Sequence, residues 1–237
     1  MNAIRRGAVI LLLALLGAAP AFAQTPTVVS SRGYINGTPL TAHTADAFDT
    51  RGASTLVAFV SSHPWIGGQP VSFSGLSDNV GNTWRILTGP TTYTPPDGSI
   101  TLMSAIYYVT APVTSATHTI TVTLTNGAPL VLHVFAVSGT DTTSLPVYSA
   151  IGAGLTTDVT SAAISVPTNT LLLSWVKNYS GAAATALSGY TLDPQSSIYL
   201  WAESQPVVAA GSYTGHFQYD SAIAWQTAVV GLKAPQH

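Results

Sequence analysis

Alternating hydrophobic and polar residues predict a chain built from β-strands. The clearest example is 117–125, THTITVTLT, in which aliphatic residues alternate with threonine. A period of two puts the aliphatic side chains on one face and the threonines on the other, which predicts a half-buried strand. The segment 130–138, LVLHVFAVS, is apolar at nearly every position and predicts a strand buried on both faces. Asn126-Gly127 lies between them and predicts a tight turn.

Similar patterns elsewhere bring the predicted total to about a dozen strands. Helix-favouring surface residues are scarce, because Glu203 is the only glutamate and Lys177 and Lys233 are the only lysines. The predicted fold is all-β, a two-sheet antiparallel β-sandwich. Neither a linker nor a recognisable internal repeat divides the sequence, so residues 24–237 are interpreted as one domain. The further predicted strands are 28–34, 54–61, 71–74, 83–87, 100–109, 162–166, 170–176, 199–204, 213–219 and 223–232.

Residues 1–23 have the pattern of a signal peptide. Arg5 and Arg6 precede an apolar stretch that is shorter than the roughly 20 residues needed to span a bilayer. Ala21-Phe22-Ala23 then matches a signal-peptidase site, so cleavage before Gln24 is expected. This predicts a secreted or periplasmic protein with no membrane association after cleavage. The sequence contains no cysteine, which excludes disulfides, thiol chemistry and cysteine-ligated metals.

Charged residues are unusually rare in this chain. They make up 7% of it, against 46% hydrophobic residues. Without Arg5 and Arg6, the seven basic residues fall to five, against nine acidic residues. Five cations cannot form a surface that follows a phosphate backbone, so nucleic acid is excluded as a partner.

Three segments resemble secreted bacterial β-sandwich domains of the concanavalin A-like lectin/glucanase type. They are 78–84 with the strands that follow it, 165–174, and 210–213 with the closing 225–233. The resemblance implies a jelly-roll sandwich. Such domains are usually accessory modules, so it also implies sugar binding, adhesion or a place in a larger extracellular enzyme. Because one sandwich hosts many activities, the function has to be argued from the site.

An aromatic and polar cluster near the C-terminus is the candidate ligand site. Tyr199, Trp201 and Glu203 alternate onto one face of a predicted strand. His216 and Gln218 share a face of the next strand, which could pair with the first as a hairpin through Ala210-Gly211. An exposed ring beside hydrogen-bonding groups is a surface on which sugars stack. The alternative is that the aromatic rings fill the core and the opposite face is outside.

The other tryptophans divide between core and loop. Trp84, Trp175 and Trp225 lie in apolar strands and are expected in the core. Trp65 lies in the loop 63–68 and is a further candidate for ligand binding.

No metal or cofactor site is predicted. The segment 78–82, DNVGN, could be a calcium loop, but its single carboxylate favours a tight turn. The six histidines show no metal-ligand spacing, and a zinc site assembled from distant strands stays an open alternative. His133 lies in an apolar strand and is expected to be a hydrogen-bonded core residue.

Catalytic residues are not predicted either. Sandwich glucanases carry alternating acidic residues on one strand, and this chain has no carboxylates two residues apart around its one glutamate. It also lacks a G-x-S-x-G motif and the Gln-x-His strand of sandwich lyases. The favoured function is therefore a secreted, non-catalytic, lectin-like module for a polysaccharide or cell-surface glycan. Two alternatives stay open: a structural or adhesive surface protein, and a hydrolase or lyase with a dispersed site that joins Glu203 to Asp193 or Asp220. The oligomeric state is not predicted.

Overall fold

The computed structural model describes residues 24–66, 69–98, 100–187 and 189–236, with the backbone alone at residues 65 and 66. The predicted signal peptide, 1–23, lies outside these residues. Within them the chain is all-β and antiparallel, as predicted. The strands are β1 (Thr27–Thr44), β2 (Thr55–Ser62), β3 (Trp65–Ile66), β4 (Gln69–Pro70), β5 (Phe73–Asp78), β6 (Arg85–Tyr93), β7 (Leu102–Thr110), β8 (Ile120–Ser138), β9 (Val147–Tyr148), β10 (Gly152–Thr160), β11 (Ile164–Val166), β12 (Thr170–Asn178), β13 (Thr185–Ala186), β14 (Thr191–Leu192), β15 (Leu200–Val207), β16 (Gly211–Tyr213) and β17 (His216–Lys233).

Two large sheets form the predicted β-sandwich. The first sheet has the order β1-β8-β2-β7-β6, and β5 pairs with β8 beside this row. The second sheet has the order β10-β17-β12-β15-β14, and β9 and β13 pair with β17. The first sheet comes from the N-terminal half of the chain and the second from the C-terminal half. Residues from both halves meet where the sheets face each other.

The same strand order occurs twice, once in each half. β12, β14, β15 and β17 take the places of β2, β6, β7 and β8, while β9 and β10 together take the place of β1. The short β13 pairs with the start of β17, as β5 pairs with the start of β8. An isolated bridge between Phe48 and His118 occupies the position of the β11-β16 pair. The sequence contains no recognisable internal repeat, so the halves share topology without recognisable residue identity. The interpretation of residues 24–237 as one domain stays a prediction.

The predicted turn at Asn126-Gly127 is wrong, because β8 passes through it without reversing. β1 pairs with both halves of β8, with Tyr34 opposite Leu132 and His43 opposite Val122. The dipeptide serves a close approach of backbones instead. A Cβ on Gly127 would lie 2.9 Å from the Pro39 carbonyl oxygen, a distance that only glycine permits.

Three layers of apolar packing hold the sandwich together. The inter-sheet core, which includes Phe59, Phe135 and Trp175, joins the facing sides of both sheets. The outer side of the first sheet is covered by residues of the N-terminal half alone, and that of the second by residues of the C-terminal half alone. Burial of these apolar surfaces is the main stabilising contribution. Trp175 and Trp225 are buried as predicted, while Trp84 is half-buried against the outer cluster of the first sheet.

Candidate functional site

A cavity of about 440 Å³ opens where β2 and β12 end, beside the inter-sheet core. Both halves of the chain contribute to its wall. Its lining comprises Ile35, Asn36, Gly37, Ser61, Ser62, His63, Pro129, Leu130, Val131, Lys177, Tyr179, Ser180 and Tyr199. We call this space the end cavity.

The strand register explains why polar groups appear at this end of the core. Phe59 and Trp175 stack across the sheets with ring centroids 5.7 Å apart. Side chains alternate along a strand, so the next inward-facing residues are Ser61 on β2 and Lys177 on β12. The apolar core therefore changes into a polar cavity within one step along each strand.

Lys177 is buried in the cavity wall. The residue is only 5% exposed, and burial lowers the pKa of its amino group to about 7. Nζ donates to the carbonyl oxygen of Asn178 and lies 5.2 Å from the centre of the Tyr199 ring. The ring face offers a weak cation–π contact. No carboxylate stands among the described lining residues, so the ammonium group has no counter-charge in the cavity.

Ser61 faces the cavity from the opposite sheet. Its hydroxyl is buried and has no hydrogen-bond partner among the described residues. The polar groups of its neighbours already have hydrogen-bond partners. Ser104 lies opposite Ser61 in the β2-β7 register and donates a hydrogen bond across the sheets to Gln226 at 2.7 Å. Gln226 lies opposite Lys177 and donates to the Thr91 carbonyl at 3.0 Å. Ser61 and Lys177 therefore keep hydrogen-bonding capacity that the protein itself does not use.

His63 and Tyr179 form part of the rim. Their rings meet edge to face with centroids 6.0 Å apart, and His63 Nδ1 donates to the Thr101 carbonyl at 3.3 Å. Burial lowers the pKa of His63, which keeps this imidazole neutral at pH 7. Tyr179 is 49% exposed and presents its ring at the opening.

Tyr199 is the one predicted site residue that lines the end cavity. It precedes β15 and packs against the inter-sheet core. Trp201 points to the other side of the sheet, where it is half-buried and its indole Nε1 donates to the Ala182 carbonyl at 3.0 Å. The predicted common face of Tyr199 and Trp201 is therefore not formed. The strand alternation begins only at Leu200, one residue after Tyr199.

Glu203 does not lie at an exposed surface beside Trp201, as the candidate ligand site requires. The residue is 0% exposed, because loops of the C-terminal half cover the outer side of the second sheet. Burial raises the pKa of this carboxyl to about 8, so it is mostly protonated at pH 7. Its Oε1 accepts a hydrogen bond from the backbone N–H of His216 at 3.2 Å.

The predicted hairpin between the strands of Glu203 and His216 does not form, because β12 lies between β15 and β17. His216 instead pairs through Nε2 with Asp158 Oδ1 at 2.8 Å, at the surface. Gln218 lies opposite Asp158 and Thr185 in the register of β17. Trp65 pairs through its backbone with Pro70, and its side chain lies outside the described residues.

Two other sequence interpretations are confirmed. The 78–82 segment forms a turn in which the Asp78 carboxylate accepts from the Asn82 N–H at 3.0 Å and from Trp84 Nε1 at 2.8 Å. Gly81 supplies the positive φ of +82° that this turn needs. His133 is fully buried, and its Nε2 lies 3.2 Å from Asp193 Oδ1.

Lys177 and Ser61 were missed as candidates, although the sequence holds a signal for Lys177. It is the only charged residue in the apolar stretch 170–178. A charged residue in a strand buried on both faces is rare unless it serves a site or a partner. Ser61 carries no comparable signal, because serine is common in strands of this chain.

The described residues contain no group of three or more histidine, aspartate or glutamate side chains that could hold a metal ion. Over the same part of the chain, no helix is long and apolar enough to cross a membrane. Comparison with known protein families, curated proteins and solved structures finds no match. The resemblance to concanavalin A-like domains therefore stays a prediction.

Proposed function

We propose that this protein is a secreted or periplasmic, non-catalytic carbohydrate-binding protein whose site is the end cavity. The observation that supports this proposal is the pairing of aromatic rings with hydrogen-bonding groups in one cavity. Tyr179 and Tyr199 supply the rings, and Ser61 and His63 lie beside them. Sugars present apolar C–H faces that stack on rings and hydroxyls that bond to polar side chains.

The dimensions of the cavity suit a small ligand. Its volume of about 440 Å³ lies within the range typical of small-molecule sites. The site is built on strand ends of two packed sheets, so the inter-sheet core holds its wall in place. The proposed partner is a polysaccharide or a cell-surface glycan, bound through a terminal residue that enters the opening.

This site replaces the aromatic platform expected around Trp201. The hydrolase or lyase alternative loses its specific support, since Glu203 does not line the end cavity. No observation favours the structural or adhesive alternative over binding in the end cavity.

The test is a glycan array probed with the protein that begins at Gln24, followed by titration of the best ligand. Tyr199→Ala and Tyr179→Ala should each weaken binding at least tenfold, because stacked aromatic rings dominate such contacts. Tyr148→Ala is the matched control, since Tyr148 is exposed and lies on β9, away from the cavity. It should bind as the unchanged protein does.

Two results would overturn the proposal. One is an array without a bound glycan. The other is a bound glycan whose affinity is unaffected by both cavity variants. Circular dichroism and thermal melting of each variant separate loss of binding from loss of fold. Tyr179→Ala should disturb the fold less than Tyr199→Ala, because Tyr179 is 49% exposed.

A further inference from the structure

The end cavity contains a buried cation without a counter-charge. Lys177 is 5% exposed, and its Nζ contacts only a backbone carbonyl and the face of Tyr199 among the described residues. A buried charge normally occurs with an ion-pair partner, because desolvation is costly. A strand position that only needed filling would be served better by leucine or methionine.

A second and independent observation lies on the facing sheet. Ser61 is fully buried, lines the same cavity and carries a hydroxyl that no described group contacts. The neighbouring Ser62 is already engaged, since it donates to the Pro129 carbonyl at 2.7 Å. The buried wall thus offers the Ser61 hydroxyl and the Lys177 ammonium, and both can donate hydrogen bonds.

We propose that the end cavity selects acidic sugars, with the carboxylate of a uronic acid residue pairing with Lys177 and accepting a hydrogen bond from Ser61. This inference rests on the proposed function and names the ligand class of the same site. A carboxylate offers acceptors alone, which match the unused donors. Tyr199, next to Lys177, then stacks on the sugar ring that carries the carboxylate.

The charge of the cavity favours a carboxylate, with one negative charge, over a phosphate ester, which carries close to two negative charges at pH 7. The titratable groups that face Lys177 from the surrounding elements are His63, Tyr179 and Tyr199. Burial lowers the pKa of His63, so at pH 7 none of the three adds a positive charge. One cation therefore meets one carboxylate.

Proton uptake is the distinctive consequence of this arrangement. Burial lowers the pKa of Lys177 in the free protein, so a large fraction of the amine is neutral at pH 8. A bound carboxylate stabilises the charged form and raises that pKa. Binding at pH 8 should therefore take up close to one proton, whereas a neutral sugar should take up none.

The experiment compares matched sugars by isothermal titration at pH 8 in two buffers of different ionisation enthalpy. Galacturonate against galactose and glucuronate against glucose differ only at C6. At least one acidic sugar should bind ten or more times tighter than its neutral partner, with proton uptake. Lys177→Met keeps the length of the side chain and should abolish both the preference and the uptake. Ser61→Ala should reduce the preference severalfold. Lys233→Met is the control, because Lys233 pairs with Asp141 away from the cavity and should leave both unchanged.

The outcomes separate this inference from the proposed function. Equal binding of acidic and neutral sugars, or a preference that survives Lys177→Met, overturns the inference and leaves carbohydrate binding intact. A galactose sulfate that binds tighter than galacturonate overturns the choice of a carboxylate. Binding of acetate without binding of any sugar overturns the proposed function, and the cavity would then be a site for small anions. If none of these probes binds, the inference fails, and the glycan array decides the proposed function separately.

Discussion

Phe59 and Trp175 stack across the two sheets at 5.7 Å with an angle of 18° between their rings. Two residues further along each strand, on the same face, lies a residue of the end cavity: Ser61 after Phe59 on β2 and Lys177 after Trp175 on β12. The stacked pair therefore forms the boundary between the apolar inter-sheet core and the end cavity. Any change that loosens the pair should alter the position of both polar groups.

Trp175→Ala should lower the free energy of unfolding by about 3–5 kcal/mol, since it removes a fully buried aromatic side chain from the inter-sheet core. Trp201→Ala should have a smaller effect, because Trp201 is only half-buried on the outer side of the second sheet. Urea unfolding of both variants measures the difference. An equal loss in the two would show that Trp175 does not have the central packing role assigned to it.

Glu203 should make the free energy of unfolding fall as the pH rises from 4.5 to about 8. Its pKa is about 8 in the folded protein and 4.5 as the reference, so the unfolded state releases its proton first as the pH rises. The stabilisation is fully present below pH 4.5 and is lost as the pH rises towards 8, by up to about 1.4 kcal/mol per unit. Glu203→Gln should remove this slope. Unfolding free energies that fall equally steeply in both proteins between pH 5 and 8 would contradict the buried carboxyl.

Lys177 should act in the opposite direction and at higher pH. Its pKa is about 7 in the folded protein against 10.5 as the reference, so between these values the unfolded state binds more protons. The free energy of unfolding should therefore rise with pH from 7 to 10.5. Below pH 7 the buried charge of Lys177 should destabilise the folded protein to its full extent. Lys177→Met should be more stable than the unchanged protein at pH 6, and the difference should shrink by pH 10. Thermal melting across this range is the measurement, and a variant that is less stable at pH 6 would contradict the prediction.

Gly33 and Gly37 on β1 form a matched pair for testing the contact between the two halves. A Cβ on Gly33 would lie 1.8 Å from the Gln195 carbonyl oxygen, whereas a Cβ on Gly37 meets nothing within 4 Å. Gly33→Ala should therefore lower the free energy of unfolding by about 1–3 kcal/mol through overpacking, and Gly37→Ala should be nearly neutral. Equal effects of the two substitutions would show that β1 does not approach the 193–195 segment this closely.

The all-β fold was predictable because alternation along a strand is a local property. It placed Ile120, Val122 and Leu124 on one buried face without any knowledge of partners. Pairing is not local, and the predictions failed where they depended on it. Asn126-Gly127 has the local sequence of a turn, but β8 continues through it because β1, from a distant part of the sequence, pairs with β8 on both sides of the dipeptide.

The candidate site was predictable only at Tyr199. The expected platform assumed that β15 and β17 pair directly, and the insertion of β12 between them cannot be inferred from the residues around Trp201. The end cavity depends on two strands from different halves meeting across the inter-sheet core. Ser61 and Lys177 are far apart in the sequence, so their convergence appears only in the folded protein.

A crystal structure of the protein with the glycan that it binds best is the most direct test of the carbohydrate site. We expect a sugar residue in the end cavity, with its ring against Tyr199 and its polar groups beside Ser61 and Lys177. A sugar bound on the outer side of the second sheet at Trp201, with the end cavity holding only water, would contradict it.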